Sequence, residues 1–520
     1  MELQHYSLSL FTFLTMLLLI LTVKYLSKTI VVSKRSPTLN LPPGPWKLPI
    51  IGSIHHLIAS QLPHQTLRDL AKKHGPLMHL QLGEISAIVI SSPRVAQEVL
   101  KTQDIAFTNR PELLSAKILS YNYSDIAFAP YGNYWRQMRK LCTLELLSAK
   151  NVLSFASIRE EEALNLVEYL ESKSGSIINL TEKMYALTNA VICRAAFGKR
   201  WKEESVYFMS LIEEMSSMVT GFDISEVFPS LKFLQAITGT KAKLVKLHKE
   251  VDEMLDKIIE EHNEKLQNHQ KNDDQQESLR KDDLVNLLLR LQENGNLEFP
   301  FTADNIKAVI LDMFLAGTET SATVLDWAMV ELMRNPKVME KAQTELRRIL
   351  KGKNKVTEID LKQASYLKLV IKETMRLHPP LPLLLPRESR EQCVINGYHI
   401  PIKTKVIVNA WAINRDAEFW EDAESFLPER FINSDSNTNM EFIGQNFEYL
   451  PFGGGRRMCP GILFGLATIE LPLAQLIYYF NWKLPHGMKP EDVDVTETSG
   501  TSCRRKYNLC VIASSNDNGI

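Results

Sequence analysis

Residues 451–461 read PFGGGRRMCPG, and this stretch decides how the rest of the chain is interpreted. It places one cysteine, Cys459, in a glycine-rich loop directly after two arginines. Glycines let a backbone approach a flat, bulky group because no side chain intervenes. Neighbouring arginines lower the pKa of a thiol, and the thiolate is the form that binds a metal. The stretch therefore predicts a metal-binding cysteine, although the same pattern also fits a tight turn beside a buried structural cysteine.

The kind of metal centre is narrowed by what surrounds Cys459. The other five cysteines are scattered along the chain, at positions 142, 193, 393, 503 and 510. Zinc and iron–sulfur sites use three or four such ligands, whereas a haem iron can be held by one proximal thiolate. The loop also contains an aromatic residue, Phe452, and an apolar helix is predicted after it over residues 462–480. These features favour a haem iron.

The spacing of Phe452, Gly455, Arg457, Cys459 and Gly461 resembles, without departure, the haem-ligand loop of the cytochrome P-450 family. The resemblance implies a mainly α fold with a small β portion, formed by one large haem-binding domain. It also implies haem b (iron protoporphyrin) as the cofactor. Cys459 would be the axial ligand of the haem iron, and Phe452 would lie against the haem.

Composition limits the classes of partner. The chain has 520 residues, of which 45% are hydrophobic, so it can form a large core. Its 60 Lys and Arg nearly balance its 61 Asp and Glu, which leaves no electrostatic signal for nucleic acid. The scattered cysteines, without a Cys-x-x-Cys pair, indicate reduced thiols on the cytosolic side of a membrane.

The first 52 residues predict a membrane anchor and a hinge. Residues 6–23 carry no charge, and 18 such residues approach the roughly 20 that cross a bilayer as a helix. Lysines follow this run rather than precede it, which favours a retained single span with a cytosolic catalytic domain over a cleaved presequence. We assign residues 1–32 to the anchor, 33–52 to a basic, proline-rich hinge and 53–520 to the catalytic domain. The resemblance implies the endoplasmic reticulum membrane.

Local patterns predict several elements of the domain. Residues 77–91 alternate around Gly83-Glu84 and predict a hairpin, followed by Ser92 as a helix N-cap. Further strands are expected at 394–400, 406–409 and 507–513. Residues 261–283 are polar and predict a solvated connector. A helix capped by Thr302 is predicted to run to Arg334, roughly 48 Å.

The middle of that helix, residues 316–321, reads AGTETS. Glycine and hydroxyl residues weaken a helix, and threonines bend it by bonding to carbonyls of the preceding turn. The segment resembles the acid–alcohol motif of the family. The resemblance implies that Thr320 hydrogen-bonds dioxygen at the haem and that Glu319 relays protons.

Three further motifs resemble family segments. Glu373 and Arg376, three residues apart on a predicted helix (362–377), share a face, and Arg430 lies in a Pro-Glu-Arg-Phe stretch. The resemblance implies a buried network of these three that supports the cysteine loop. The other two motifs are YWRQMR at 134–139 and PRE at 386–388. By position, the candidate partners of the haem propionates are Trp135, Arg139, Arg387 and Arg457.

The chain has neither a P-loop nor a Gly-x-Gly-x-x-Gly after a strand, so no nucleotide or flavin site is visible. The resemblance implies that NADPH acts indirectly, through NADPH–cytochrome P-450 reductase, which would dock near Arg456. It places the substrate pocket among several apolar stretches. The tentative pocket residues are Asp312, Met313, Ala316, Leu383 and Leu384. Apolar linings favour apolar ligands.

The motifs together resemble the plant microsomal, reductase-dependent members of the family, many of which oxidise terpenoids. We expect a monooxygenase that inserts one atom of dioxygen into a lipophilic metabolite, with a sesquiterpene or diterpene as the favoured substrate. An alkaloid or phenolic substrate is the alternative, followed by a haem-thiolate isomerase or dehydratase and by a non-catalytic haem sensor. Residues 496–503, TETSGTSC, are more polar than the family turn and weaken any inherited substrate assignment.

Overall fold

The structure is a computed structural model. It describes residues 39–58, 62–198, 204–219, 224–231, 233–271, 283–295, 299–353, 355–432, 446–498 and 500–516. The predicted anchor, residues 1–32, and the start of the hinge lie outside these ranges. The described part of the hinge lies along the first strand, where the Pro43 carbonyl accepts a hydrogen bond from the His79 backbone N–H at 2.8 Å.

Helices make up most of the described chain. In order, they are α1 Ile54–Ile58, α2 Pro63–His74, α3 Pro93–Gln97, α4 Leu114–Leu119, α5 Asn133–Leu141, α6 Ala149–Ser154, α7 Ala156–Ser172, α8 Leu180–Phe197, α9 Glu204–Met218, α10 Ile224–Val227, α11 Leu234–Ile237, α12 Thr240–Lys271, α13 Leu284–Glu293, α14 Ala303–Gly317, α15 Glu319–Arg334, α16 Pro336–Ile349, α17 Ser365–Leu377, α18 Ala410–Ile413 and α19 Ile462–Tyr479. Short 3-10 turns include Asp104–Phe107, Glu358–Gln363, Pro428–Phe431 and Gly455–Arg457.

The strands form three small sheets. They are β1 Leu77–Leu82, β2 Ile85–Ile90, β3 Ile177–Asn179, β4 Arg387–Glu388, β5 Cys393–Ile395, β6 Tyr398–Ile400, β7 Lys405–Val408, β8 Phe480–Lys483 and β9 Cys510–Ser515. The sheet orders are β1-β2-β7-β4, β3-β9-β8 and β5-β6. The β1–β2 hairpin and the Ser92 cap are confirmed, because the Ser92 hydroxyl accepts from the Val95 N–H. The mainly α fold with a small β portion is confirmed as well.

Residues 394–400 are a hairpin rather than the single strand that the sequence predicts. Asn396 and Gly397 both have positive φ, 49° and 79°, and this conformation turns the chain tightly between β5 and β6. The third predicted strand, 507–513, lies later, at Cys510–Ser515.

The predicted connector over residues 261–283 is wrong for the part that the structure describes. Residues 261–271 continue the long helix α12. His262 on this helix is buried, and its Nε2 lies 3.2 Å from Oδ2 of Asp283, the N-cap of α13. A polar composition therefore hid an amphipathic helix, because a single buried histidine with a carboxylate partner gives little hydrophobic signal.

The predicted central helix extends over Ala303–Arg334, and it is interrupted in its middle at Thr318. Helix α14 ends at Gly317, Thr318 has φ −81° and ψ −66°, and α15 begins at Glu319. The Thr318 and Thr320 hydroxyls donate to the carbonyls of Phe314 and Ala316. These bonds compete with the helical ladder, which is the weakening that the AGTETS composition predicts.

Helix α15 forms the centre of the core and packs against α8, α17 and α19. Trp327 on this helix is fully buried, and its ring stacks on His378 with 3.7 Å between centroids. By length and composition alone, two helical stretches of the described chain could cross a membrane, Ala303–Arg334 and Ile462–Tyr479. Both are largely buried in this core.

The C-terminal segment 496–505 is tied to distant parts of the fold. Glu497 Oε2 lies 2.7 Å from Nε2 of His64 in α2, and both side chains are buried. The Trp327 indole N–H donates to the Cys503 carbonyl at 2.7 Å. Burial acts to raise the pKa of Glu497, but the hydrogen bond and charge of His64 outweigh it and lower that pKa to about 2.

A pH-dependent stability follows from this pair. Because the pKa of Glu497 is lower in the folded protein than its ordinary value of 4.5, the ionised carboxylate stabilises the fold at neutral pH. The contribution is on the order of 3 kcal/mol, and it is lost as the pH falls from about 4.5 towards 2. We expect Glu497→Gln to lower the urea midpoint at pH 7 and to flatten its decline between pH 5 and 3. The exposed Glu491→Gln should keep the wild-type profile; identical profiles for both variants would contradict the assignment.

Candidate active site

The cysteine loop is closed by a backbone hydrogen bond from the Cys459 N–H to the Phe452 carbonyl at 3.0 Å. Phe452 is half-buried against the main core, and Cys459 is half-buried near the start of α19. The 3-10 turn Gly455–Arg457 lies between them and gives the two arginines opposite environments. Arg456 is half-exposed, whereas Arg457 is buried.

Two of the three glycines have positive φ, 72° at Gly453 and 66° at Gly455. A Cβ at Gly455 would lie 2.3 Å from the Leu100 carbonyl oxygen and 2.5 Å from Oδ1 of Asp104. Gly455 is therefore needed for the loop to pack against its own protein, as well as for the turn. From the sequence, these glycines are explained by the approach of a flat ligand. Close packing against Leu100 and Asp104 is a second reason for Gly455.

The pKa of the Cys459 thiol is raised, not lowered as the sequence predicts from its two neighbouring arginines. Burial raises it, and the Gly461 backbone N–H and the charge of Arg139 only partly offset this effect. Arg457 instead donates to backbone carbonyls, including Thr108 at 2.8 Å from its Nε. The charge that acts on the thiol thus comes from α5, about 320 residues earlier in the chain.

The structure brings Glu373, Arg376 and Arg430 together in a buried cluster. Arg376 donates to both Glu373 oxygens, at 2.7 and 2.9 Å, and Arg430 Nε donates to Oε1 at 3.0 Å. The Glu373 carboxylate also accepts the Leu427 N–H at 2.8 Å. Arg376 further donates to the carbonyls of residues 414, 423 and 425. The cluster therefore fixes the chain that leads into the turn Pro428–Phe431.

The sequence-predicted propionate partners also lie together. The Arg457 guanidinium lies 4.3 Å from the centre of the Trp135 ring, and that of Arg139 lies 5.9 Å from it. The Trp135 indole N–H already donates to the Ile126 carbonyl at 3.0 Å. Arg387, at the start of β4, donates to Asp104 at 2.8 Å and to the Gly454 carbonyl at 2.6 Å. It thereby joins the β1-β2-β7-β4 sheet to the cysteine loop.

Sequence reasoning missed Arg110, a buried member of the same cluster. Its guanidinium donates to the carbonyls of Leu385 and Pro386, at 2.7 and 2.8 Å. Burial lowers its pKa, and the charges of Arg457 and Arg387 lower it further. Burial and the charge of Arg387 likewise lower the pKa of Arg457 to about 9. Arg110 also donates to the Ala127 carbonyl at 2.9 Å, but its contacts with Leu385 and Pro386 join it to chain about 275 residues away, and no local sequence signal marks them.

Three of the candidate pocket residues lie in α14, and the other two lie near the sheet and the cysteine loop. Asp312 accepts the Ile126 N–H at 2.7 Å, and burial, followed by the charge of Asp125, raises its pKa well above the ordinary range. Met313 is buried in the core, while Ala316 is exposed although it lies in the middle of the domain. Leu383 packs against the sheet. Leu384 lies 3.6 Å from where a Gly453 Cβ would be.

Glu319 and Thr320 have separate hydrogen-bond partners. The Thr320 hydroxyl donates to the Ala316 carbonyl. The Glu319 carboxylate accepts hydrogen bonds from Ser216 at 2.9 Å and from Ser502, and it lies 3.4 Å from Nε of Arg504. Ser216, Ser502 and Arg504 are residues that the sequence argument did not single out.

The cytochrome P-450 family model matches residues 42–511 of the chain. A premnaspirodiene oxygenase from Hyoscyamus muticus is 54% identical over 505 residues, which cover 97% of both chains. A 5-epiaristolochene 1,3-dihydroxylase from Nicotiana tabacum is 51% identical and covers 96% of both. The chain belongs to the cytochrome P-450 family. Haem is the cofactor of this family, and the protein is an oxidoreductase that uses dioxygen, a redox partner and a hydrophobic substrate.

Two further cytochromes P-450 extend the comparison. A desmethyl-deoxy-podophyllotoxin synthase from Sinopodophyllum hexandrum is 52% identical and covers 95% of both chains. A zebrafish cytochrome P-450 solved with progesterone is 25% identical, with a TM-score of 0.73 over 88% of this chain and 100% of its own. The fold is thus retained at low identity, while substantial identity over full length is found among the plant enzymes.

The charges at the site fit a haem. Among the described residues of this region, four buried or half-buried guanidinium groups (Arg110, Arg139, Arg387 and Arg457) face two carboxylates, Asp104 and Asp125. Asp104 accepts a hydrogen bond from Arg387, and the other hydrogen bonds of the four arginines within the described chain go to neutral backbone carbonyls. An excess of two buried positive charges is costly unless anions neutralise it. Two propionates carry that number of negative charges.

We expect Glu373→Ala to abolish haem incorporation. The substitution leaves Arg376 and Arg430 buried without their carboxylate, which costs roughly 3–5 kcal/mol and frees the chain that leads to the cysteine loop. Haem content per purified protein is the measurement. Glu161→Ala, which removes an exposed partner of Arg194, is the control and should cost about 1 kcal/mol or less. A folded Glu373→Ala protein with full haem would contradict the structural role of the cluster.

Proposed function

We propose that this cytochrome P-450 is a haem-thiolate monooxygenase that inserts one oxygen atom from dioxygen into a terpenoid, either a sesquiterpene or a diterpene. The observation that carries the substrate class is the identity above 50%, over almost the full length, to relatives named for premnaspirodiene and 5-epiaristolochene. The relative named desmethyl-deoxy-podophyllotoxin synthase supports the second candidate, a phenolic or alkaloid substrate.

Cys459 would bind the haem iron in this proposal, and Phe452 lies in the same loop, where its carbonyl accepts the Cys459 N–H. Bound haem supplies the oxygen-activating chemistry, and the protein supplies binding, orientation and charge. Arg110, Arg387 and Arg457 neutralise the propionates, supported by the excess of buried positive charge described above. Trp135 acts through the arginines, since its own N–H is bonded to a carbonyl. Arg139 orients the Met458 carbonyl next to the ligand.

Thr320 and Glu319 bind and transfer protons in the proposed reaction. One oxygen atom of dioxygen leaves as water, which requires two protons. Between α14 and α15, the Thr318 and Thr320 hydroxyls donate to the Phe314 and Ala316 carbonyls of the preceding turn. The Thr320 hydroxyl, fixed by the Ala316 carbonyl, can still accept a proton and pass its own on.

The polar C-terminal segment does not argue against an apolar substrate. Glu497 is bonded to His64, Thr498 to the Arg504 carbonyl, Thr501 to the Val219 carbonyl and Ser502 to Glu319. These side chains therefore have hydrogen-bond partners within the protein. The tentative pocket residues Met313 and Ala316 remain apolar, which supports a hydrocarbon-like ligand.

The test of this proposal is turnover in membranes that contain the protein and a plant reductase. With NADPH and a panel of sesquiterpene and diterpene hydrocarbons, indole alkaloids and phenolics, we expect an oxygenated terpene that disappears when NADPH is omitted. Mass spectrometry with ¹⁸O₂ should show one labelled atom per product. The Cys459→Ser variant is the matched control and should form none.

Other outcomes of this assay separate the alternatives. Products from alkaloids or phenolics alone would keep the monooxygenase and overturn the terpenoid assignment. Conversion without NADPH and without label would overturn the monooxygenase and favour an isomerase or dehydratase. No conversion of any substrate class, with haem intact, would contradict the substrate proposal and favour a haem sensor.

We further propose that electrons come from NADPH–cytochrome P-450 reductase, which docks on the side of the cysteine loop. Arg456 supports this, because its side chain is half-exposed and lies 3.6 Å from Asp104. We also propose that residues 1–32 anchor the protein to the endoplasmic reticulum membrane as a single span, with the catalytic domain in the cytosol. The proline-rich hinge over residues 33–52 then joins this anchor to the sheet.

We expect Arg456→Glu to slow haem reduction by the reductase roughly tenfold, because one contact of an oriented electrostatic interface is reversed. Stopped-flow absorbance under carbon monoxide measures this rate. Reduction by dithionite, which needs no docking, should be unchanged, as should the haem content. An unchanged reductase-dependent rate would contradict a role for Arg456.

A further inference from the structure

Glu319 is held by residues from two other parts of the fold. Ser216 belongs to α9, Ser502 and Arg504 belong to the C-terminal segment, and Glu319 itself is the first residue of α15. The Glu319 side chain is 15% exposed, so these contacts account for most of its surroundings. Few orientations of the Glu319 side chain would keep all three contacts, with Ser216, Ser502 and Arg504.

Arg504 is itself fixed by groups other than Glu319. Its Nε donates to the Tyr185 hydroxyl at 2.9 Å, and its guanidinium lies 4.4 Å from the centre of that ring. The Tyr185 hydroxyl lies 3.1 Å from the Thr323 hydroxyl, one helical turn after Glu319. Burial acts to lower the pKa of Arg504, but the charges of Tyr185 and Glu319 outweigh it, and the pKa is raised. Arg504 is therefore a fixed, charged partner.

A small cleft borders this group. It is lined by residues of α8, α9, the helix break and the C-terminal segment, among them Tyr185, Asn189, Ser216, Leu315 and Arg504. Glu319 also lines it. Successive residues of a helix point about 100° apart, so the Glu319 carboxylate faces this cleft while the Thr320 hydroxyl points back along α14.

We propose that Arg504, assisted by Ser502, is a positioning residue that holds the Glu319 carboxylate against the cleft, where it is recharged with protons from water. This inference rests on the proposed role of Glu319 as a proton relay. Each turnover consumes two protons and two electrons as one oxygen atom is inserted and the other leaves as water. Without Arg504 the Glu319 carboxylate would spend less time at the cleft, where it takes up protons.

The polar residues of the C-terminal segment have a role in this arrangement. Ser502 and Arg504 sit where the chain returns from the His64–Glu497 pair to β9, and the Cys503 backbone is fixed on both sides of its peptide unit. The Cys503 N–H donates to the Pro380 carbonyl at 2.9 Å, and its carbonyl accepts from Trp327. The segment thus presents its hydroxyl and guanidinium groups to Glu319 from a rigid frame.

The experiment compares Arg504→Gln, Arg504→Lys and Glu319→Gln with Lys506→Gln, which removes an exposed positive charge two residues away. In Arg504→Gln we expect amide hydrogen–deuterium exchange in residues 500–506 and at the end of α9 to become severalfold faster. Product formed per NADPH should fall by roughly tenfold. This loss is smaller than the roughly 10²–10⁴-fold rate contribution of a positioned proton donor, because Glu319 itself is still present. The solvent deuterium isotope effect on product formation should rise.

Arg504→Lys keeps the charge and should restore most of the product yield and a near-normal isotope effect. Lys506→Gln should match the wild type in exchange, yield and isotope effect. Haem content is measured in every variant, so that loss of fold is recognised.

The outcomes separate this inference from the role of Glu319 itself. If Glu319→Gln lowers the yield and raises the isotope effect but Arg504→Gln does neither, Arg504 is not a positioning residue and the inference is overturned. If Glu319→Gln changes neither quantity, the proposed proton role of Glu319 fails, whatever Arg504 does. Faster exchange in Arg504→Gln with an unchanged isotope effect would reduce Arg504 to a structural contact and would also overturn the inference.

Discussion

An uncompensated cluster of buried positive charge is the constraint on which the rest of this structure depends. Arg110, Arg387 and Arg457 are buried within range of one another, and their mutual repulsion adds to the cost of removing each from water. The fold accepts this cost by bonding each guanidinium to backbone carbonyls or to Asp104. Those bonds also fix the segments around the cysteine loop. The same arginines therefore bind the anionic cofactor and order the loop.

The broken central helix is the second structural condition for function. Thr318 and Thr320 withdraw carbonyls from the helical ladder, and α15 then starts at Glu319 with its carboxylate turned towards α9 and the C-terminal segment. The Glu319 carboxylate and the Thr320 hydroxyl therefore make their contacts in different directions from the helix. Rigid contacts at Ser502 and Arg504 are needed because a carboxylate at a helix start would otherwise be free to rotate into water.

Sequence reasoning succeeded where the signal is local. The hairpin around Gly83, the helix that carries Glu373 and the cysteine loop all follow from spacing and turn chemistry over a few residues. It failed where partners are distant. Arg110 contacts the chain some 275 residues later, and Ser216 meets Glu319 across 103 residues. Neither position has a periodicity that points to its partner. The pKa of Cys459 was misjudged for the same reason, because burial is a property of the assembled fold.

The most direct measurement compares how tightly the apoprotein binds haem and haem dimethyl ester, in which both propionates are uncharged. Quenching of the tryptophan fluorescence, to which Trp135 beside Arg457 contributes, reports the binding. The charge account predicts that the ester binds at least roughly a hundredfold more weakly, which corresponds to about 3 kcal/mol. It also predicts that Arg457→Gln narrows this difference. Equal affinities for the two compounds in the wild-type protein would contradict it, because the arginine cluster would then have no anion to neutralise.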